Sequence, residues 1–331
     1  MKKSNDFSKI ILLFIAFAVI FFGSFLLGRY PVRLSELLTT PPDTWDAAAR
    51  AVVFDIRLPR VLCAALVGAA LSLAGVSYQS MFANPMVSPD ILGASSGAGF
   101  GAALGIVLGL SYALISGLAF GFGVAAVVLA YVLGRAARTD RLLSIVLAGM
   151  VVSGLFSAAV SLMKLVADPH QALPAITYWL MGSLSAVRMR DVGFLLIPAL
   201  LGAVPLLCLR WRMNLLTLGE EEARSMGLNV RAMRLTVILC ATLLTASSVA
   251  VSGMIGWVGL VIPHFARMLF GNDCRRLLPA SMLLGASFLM LVDDVARTAL
   301  TVELPIGILT SFLGAPVFIY LLLTRREYDG H

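Results

Sequence analysis

Residues 57–99 read RLPRVLCAALVGAALSLAGVSYQSMFANPMVSPDILGASSGAG. No residue between Arg60 and Asp90 carries a formal charge, and most residues as far as position 83 are small or apolar. Roughly 20 such residues are enough for an α-helix to cross the hydrocarbon core of a bilayer. The stretch therefore predicts a membrane-spanning helix over residues 60–82, followed by a break in the backbone at Asn84 and Pro85.

The rest of the chain has the same character. Of its 331 residues, 60% are hydrophobic and 13% are charged, against roughly 25% charged residues in a soluble domain, and the mean hydropathy is +0.94. These values exclude a soluble enzyme and a nucleic-acid-binding domain. Residues 166–190 predict a short interfacial helix. Apolar runs predict ten spans, at 10–28, 60–82, 93–110, 113–133, 143–165, 192–209, 234–252, 255–270, 278–298 and 305–323. We therefore expect an all-α polytopic membrane protein, a single transmembrane domain over residues 1–331.

The basic residues indicate the orientation of this domain. If the N-terminus lies inside, sixteen of the 25 lysines and arginines fall in cytoplasmic segments. Because cytoplasmic loops carry an excess of basic residues, this count favours cytoplasmic N- and C-termini. The first apolar run has no clean small-residue cleavage site after it, so we interpret it as a retained span and not as a signal peptide.

Glycines recur at helix-packing spacing in the third and fourth predicted spans. Such ridges of small residues allow helix backbones to approach each other closely within a bilayer. They predict tight packing of the bundle. The first ridge is Gly97, Gly101, Gly105 and Gly109, and a second starts with Gly117 and Gly121.

Sequence motifs of membrane enzymes and nucleotide-binding proteins are missing. The chain contains no GxxxxGK[ST], HExxH or GxSxG motif and no Cys/His cluster, so it offers no phosphate-binding loop and no metal site of a known pattern. Its four cysteines are scattered without a CxxC pair, and we expect no disulfide framework. We predict a transporter that is not itself an enzyme and binds no cofactor or metal.

Most predicted span centres lack charge, with one exception near a span end. Asp293 and Arg297 are four residues apart on one predicted helix, and Asp294 and Arg297 are three apart, so either carboxylate can pair with the arginine. This spacing favours a structural ion pair over a proton relay, because one isolated cluster makes a poor pathway. A docking or vestibule role stays open, as does an ion-coupled secondary transporter.

The longest predicted cytoplasmic connection, residues 210–234, differs in kind. It reads RWRMNLLTLGEEEARSMGLNVRAMR and holds three consecutive glutamates and five arginines. We predict a short helix, a turn and a second short helix that share one apolar face. That face is either a docking surface for another protein or part of a solvated loop. Its apolar residues are Leu215, Leu218, Ala223, Met226 and Leu228.

Three segments together resemble one protein family. They are residues 57–99, the segment TLGEEEARSMGLNV (217–230), and GMIGWVGLVIPHFARMLFG (253–271) followed by ELPIGILTSFLGAPVFIYLLL (303–323). The chain resembles, over essentially its whole length, the FecCD/BtuC-like permeases. These are the permease subunits of bacterial ABC importers for ferric siderophores, haem and cobalamin.

The resemblance implies a multi-pass protein of the cytoplasmic (inner) membrane that forms a homodimer among the membrane lipids and binds no nucleic acid. Two separate ATPase subunits would carry ATP and Mg, and a periplasmic or lipid-anchored binding protein would deliver the cargo. The implied cargo is an iron chelate (a siderophore or haem) or cobalamin. An oxyanion such as molybdate is the alternative cargo, and a membrane-embedded enzyme is a third class of function.

The resemblance also assigns roles to residues. Leu142 and Leu143 would close an inner gate; the alternative is ordinary packing at the start of a helix. Asn84 and Pro85 line the pathway or form a structural turn. The contacts to the ATPase would come from Leu218, Gly219, Glu221, Glu222, Ala223, Met226 and Gly227. The binding protein would dock on Arg57, Arg60 and Arg297. Pathway or gate residues would be Gln79, Asn84, Pro85, Leu142 and Leu143.

Overall fold

The computed structural model of the protein describes residues 2–28, 30, 45–136 and 141–324, with the backbone alone for residues 2–7, 141, 321–322 and 324. In these ranges the chain forms twelve helices and no strand. Five of the basic residues counted for the orientation lie outside the described ranges: Arg29, Arg33, Arg138, Arg325 and Arg326. The helices are α1 (Lys2–Ser24), α2 (Ala47–Met81), α3 (Ala94–Val107), α4 (Tyr112–Ala136), α5 (Arg141–Val166), α6 (Ala172–Met181), α7 (Met189–Leu216), α8 (Glu220–Ser225), α9 (Val230–Ser252), α10 (Val258–Phe270), α11 (Cys274–Thr298) and α12 (Ile306–Thr324).

Each of the ten predicted spans coincides with one helix, and the predicted interfacial helix is α6. Among the described residues, α2, α4, α5, α7, α9 and α11 are long and apolar enough to cross a membrane. Shorter apolar helices lie in α1, α3, α6, α10 and α12. The prediction of an all-α polytopic membrane protein is therefore confirmed.

Helix α2 lies at the centre of the bundle and contacts α7, α9, α10 and α11. Two of these crossings depend on glycine pairs. A Cβ atom on Gly68 would lie 2.1 Å from the carbonyl oxygen of Gly285 in α11, and a Cβ on Gly75 would lie 1.9 Å from that of Gly259 in α10. Because neither distance leaves room for a methyl group, any larger residue forces the backbones apart.

The glycine ridge of residues 97–105 packs against α4, in agreement with the sequence. A Cβ on Gly101, for example, would lie 2.4 Å from the carbonyl oxygen of Leu118. Gly109, the last member of the predicted ridge, does not take part, because a Cβ added there would meet no described heavy atom within 4 Å. The same is true of Gly117 and Gly121, so the prediction that a second ridge packs against another helix is wrong within the described subunit. Spacing reveals a row of small residues but not what that row faces.

Side-chain bonds show which connections share an end of the bundle. Lys9 Nζ donates to the carbonyl oxygen of Leu269 at 3.0 Å, which places the start of α1 beside the end of α10. Asn214, near the end of α7, donates to Asp273 Oδ1 at 2.8 Å. We call this end, with residues 217–229 and 271–273, the inner face, and the opposite end the outer face.

Asp273 begins α11 at the inner face. Its carboxylate accepts the backbone N–H of Arg275 at 3.0 Å, which caps the helix. Burial alone would raise the pKa of Asp273, but the hydrogen bonds from Arg275 and Asn214 outweigh burial and hold this pKa below its usual range.

Candidate functional site

The first candidate site is the coupling segment, residues 217–229, which joins α7 to α9 at the inner face and contains α8. The prediction of two short helices over residues 210–234 is wrong. Residues 210–216 continue α7 because Met213 and Leu216 are buried against the core, and residues 230–234 already belong to α9. Asn229 caps α9 by accepting the backbone N–H of Ala232 at 3.0 Å. One short helix therefore remains in the segment.

The apolar residues of the coupling segment point in two directions, and not to one face. Ala223 is fully buried in the core, and Leu215 and Leu228 pack partly buried against the same cluster. Leu218 and Met226 are 53% and 59% exposed. The exposed carboxylates of Glu221 and Glu222 lie on α8 as well. The segment is thus fixed to the bundle on one side and presents two large apolar side chains on the other.

An ion pair that the sequence analysis did not identify connects α8 to α9. Glu220 accepts from Arg234, on the second turn of α9, at 2.5 Å. It also pairs with Arg224 on α8 itself. The i,i+4 spacing of Glu220 and Arg224 was a usable sequence signal. The contact with Arg234 was not, because it depends on the turn of the chain between the two helices.

Two glycines border α8. Gly219 has a φ of +116° and Gly227 a φ of +80°, a backbone region that favours glycine. A Cβ on Gly219 would also lie 2.5 Å from Glu222 Oε2, whereas a Cβ on Gly227 would meet nothing within 4 Å. At Gly227, then, only the backbone conformation and not space restricts the side chain.

The second candidate site contains the three arginines predicted to dock the binding protein. We expected their head groups to reach water, and this is wrong for the described subunit. Arg57, Arg60 and Arg297 are only 3%, 4% and 5% exposed. The reason is that acidic side chains on α11 and after it bind Arg60 and Arg297, and that backbone carbonyl oxygens after α1 accept hydrogen bonds from Arg57. We call the set of Arg57, Arg60, Arg297, Asp293, Asp294, Glu303 and Ser24 the outer cluster.

Arg60 is bonded most extensively in the outer cluster. Its Nε donates to both carboxylate oxygens of Asp293, at 2.9 and 3.0 Å, and its Nη1 donates to Glu303 Oε2 at 2.9 Å. The Asp293 side chain is 1% exposed and that of Glu303 is 31% exposed. Arg60 therefore bridges α11 and the connection between α11 and α12.

The other two arginines bind α1 and the chain that follows it. Arg297 pairs with Asp294 and donates to the carbonyl oxygen of Ser24 at 2.6 Å. Ser24 Oγ in turn donates to Asp294 Oδ2 at 2.7 Å. Arg57, at the end of a π-helical turn in α2, donates to the carbonyl oxygens of Phe25 and Tyr30. The predicted pairing of Arg297 with its helix neighbours is present.

The outer cluster balances three arginines against three carboxylates. Buried charges persist only when they are paired and hydrogen-bonded, so each group here depends on the others. The cluster connects α1, α2, α11 and the connection to α12. Docking of a partner on these arginines stays a prediction, and it now requires the internal pairs to open.

Gln79, predicted to line the pathway, is 3% exposed. Its amide nitrogen donates to the carbonyl oxygen of Val87 at 3.1 Å, and its amide oxygen accepts from Arg267 Nη2 at 2.6 Å. Since a second subunit can only bury Gln79 further, a lining role is wrong for this conformation. The side chain connects α2, the following turn and α10.

The remaining pathway and gate residues lie at or near the surface of the inner face and stay predictions. Asn84 is exposed, and its side-chain oxygen accepts the backbone N–H of Met86 at 2.9 Å, which supports the structural turn. Pro85 and Leu142 are half-buried. Leu143 is 56% exposed at the start of α5.

Comparison with known proteins adds the following matches. The model of the FecCD transport family matches residues 14–324. The molybdate import system permease protein MolB of Haemophilus influenzae is 43% identical over 321 residues, which cover 96% of this chain and 94% of MolB. The hemin transport system permease protein HmuU of Yersinia pestis is 38% identical over 325 residues, 95% of each chain. A solved inward-facing structure of a metal-chelate type ABC transporter is 40% identical with a TM-score of 0.88, and the match covers 96% of this chain and 99% of that one.

Proposed function

Because the chain belongs to the FecCD transport family, and is thus a multi-pass permease of an ABC importer in the inner membrane, we propose that it imports a metal chelate. The cargo is an iron chelate (siderophore or haem) or cobalamin. In this family of transporters a separate subunit hydrolyses ATP, so the chain is not an enzyme. In the proposed assembly two copies of the chain bind two ATPase subunits, and a binding protein delivers the cargo at the outer face.

The coupling segment is the observation that carries the proposed function as a permease driven by a separate ATPase. Ala223 and the Glu220–Arg234 pair fix α8 to the bundle, while Leu218 and Met226 remain exposed for a partner. A helix held in this way moves together with α7 and α9 when its partner moves. It therefore suits the transfer of a nucleotide-driven movement from the ATPase into the membrane.

We infer that the exposed face of α5, the helix that starts at the proposed gate residues Leu142 and Leu143, lines the pathway, and this face supports a chelate as the cargo. Leu147, Val151 and Leu155 are 50% to 68% exposed, and no residue between Leu142 and Lys164 carries a formal charge. A bulky ligand with an organic shell can pass such a surface, whereas an oxyanion is bound by arginine forks and other charged donors.

A small oxyanion such as molybdate is the second candidate cargo. The observation in its favour is the 43% identity to MolB over 96% of this chain. The two candidates are separated by uptake into proteoliposomes that contain the permease, its ATPase and its binding protein. We expect ATP-dependent accumulation of a labelled iron chelate or cobalamin. Accumulation of labelled molybdate alone would reject the chelate.

Docking of the ATPase is tested with the double variant Leu218→Ser and Met226→Ser. Burial of such side chains contributes roughly 1.5–3 kcal/mol each, so we expect the ATPase to bind the solubilised permease at least tenfold more weakly. Met268→Ser is the matched control, because Met268 is 67% exposed on α10 outside the coupling segment. Equal affinity for the double variant and the control would place the docking surface elsewhere.

A further inference from the structure

A groove between α4 and α9 plays no part in the sites described above. Its volume is about 260 Å³, and its lining is almost entirely apolar. Both helices qualify as membrane spans by length and composition, so the groove lies at the depth of the bilayer. The lining residues are Val124, Val127, Val128, Tyr131, Leu235, Ile238, Leu239, Thr242 and Leu243.

The groove occupies one leaflet. From Val124 to Arg135, α4 rises by roughly 16 Å at about 1.5 Å per residue, which is half of the roughly 30 Å hydrocarbon core. On α9 the stripe from Leu243 back to Arg231 has a similar length. Because α9 follows the coupling segment and α4 runs antiparallel to it, both stripes end at the inner face.

Each stripe ends in an exposed arginine. Arg135 follows Tyr131 by one turn of α4, and Arg231 precedes Leu235 by one turn of α9. Arginine side chains near the end of a membrane span extend to the membrane surface, where each guanidinium group can donate two hydrogen bonds to the oxygens of one phosphate. The neighbouring Arg234 is occupied by Glu220 and takes no part.

We propose that the groove holds one acyl chain of an anionic phospholipid from the leaflet at the inner face, with Arg135 and Arg231 binding the lipid phosphate. The apolar lining fits the chain, and the two guanidinium groups complement the charge of the headgroup. The lipid would contact the first turn of α9, immediately after the coupling segment.

The test uses full-length permease in nanodiscs of phosphatidylcholine with a minor fraction of phosphatidylglycerol that carries a photoreactive acyl chain. Cross-linked peptides are then mapped by mass spectrometry. We expect labelling of residues 124–131 and 235–243 above that of the exposed apolar face of α7, which holds Ile197, Leu201 and Val204. Photoreactive phosphatidylcholine should label the groove less, and inorganic phosphate should not compete, since the acyl chain holds the lipid.

Two variants identify the headgroup contact. Arg135→Gln with Arg231→Gln should reduce groove labelling about fivefold for each arginine, whereas the same change to lysine should retain most of it. The matched control is the double variant Arg210→Gln with Arg212→Gln, which should have no effect. Arg210 and Arg212 are exposed arginines of α7 near the same face.

Three results would overturn the proposal. The first is labelling of the groove no stronger than that of the exposed face of α7. The second is equal labelling by both lipids, which would mean that charge is not recognised. The third is a disulfide between two permease copies with Leu239→Cys, together with an absence of labelling, which would mean that the second subunit covers the groove.

Discussion

Replacement of Asp293 by alanine should destabilise the subunit far more than replacement of Glu303, although both carboxylates bind the same arginine. Asp293 accepts two hydrogen bonds from Arg60 and is 1% exposed. Removal of one partner from a buried ion pair costs about 3–5 kcal/mol, because the other charge stays buried without compensation. Arg60 retains Glu303 at 2.9 Å, so we expect the lower end of this range for Asp293→Ala, about 3 kcal/mol.

Glu303→Ala leaves the two bonds between Arg60 and Asp293 intact. The Glu303 side chain is 31% exposed, and partly exposed pairs contribute roughly 0–1 kcal/mol. A third variant, Arg60→Met with Asp293→Leu, removes both charges together. Apolar replacement of a whole buried pair is often neutral, so this variant should recover most of the stability that Asp293→Ala loses. It does not recover the hydrogen bond from Arg60 to Glu303, which Arg60→Met removes.

Native cysteines provide the assay. Cys63, Cys240 and Cys274 are buried free thiols that react with a fluorogenic maleimide only when the heated, solubilised subunit unfolds. Cys208 is exposed and is changed to serine in every variant to lower the background. We expect a clearly lower midpoint temperature for Asp293→Ala only. If its midpoint equals that of Glu303→Ala, the outer cluster is not a buried electrostatic unit, and its arginines are available for docking.

Three further predictions address packing, coupling and gating. Gly75→Ala should lower the same midpoint temperature, because the added Cβ would lie 1.9 Å from a carbonyl oxygen. The control Gly117→Ala places its Cβ in open space and should leave the midpoint unchanged or slightly raised. Equal midpoints for the two variants would disprove the close crossing of α2 and α10. Glu220→Gln weakens the ion pair with Arg234, so it should lower the ratio of cargo imported to ATP hydrolysed while the ATPase still binds. An unchanged ratio would show that this ion pair is not needed for coupling. Leu143→Cys should form a disulfide between two subunits in at least one nucleotide state, and its absence in every state would argue against an inner gate.

The membrane spans were predictable because each apolar run ends at charged or turn residues, and a bilayer requires long apolar helices. The pair of Asp294 and Arg297 was predictable for a similar reason, since their spacing on one helix is enough to bring them together. Local patterns of this kind need no knowledge of the tertiary fold.

The rest depended on contacts between distant parts of the chain. Arg60 and Asp293 are 233 positions apart, so the sequence suggested water-exposed arginines where the fold buries them. The coupling segment is shorter than predicted because burial of Met213 and Leu216 extends α7. Spacing also could not tell the packed glycines of α3 from Gly117, which faces open space.

The energy source of transport tests the central claim most directly. The permease is reconstituted into proteoliposomes with the binding protein, with or without the ATPase subunit, and uptake of the labelled cargo is measured with ATP or with an ion gradient. We predict uptake only when the ATPase and ATP are both present, and none with a gradient alone. Gradient-driven uptake by the permease without the ATPase would contradict the account and identify an ion-coupled secondary transporter.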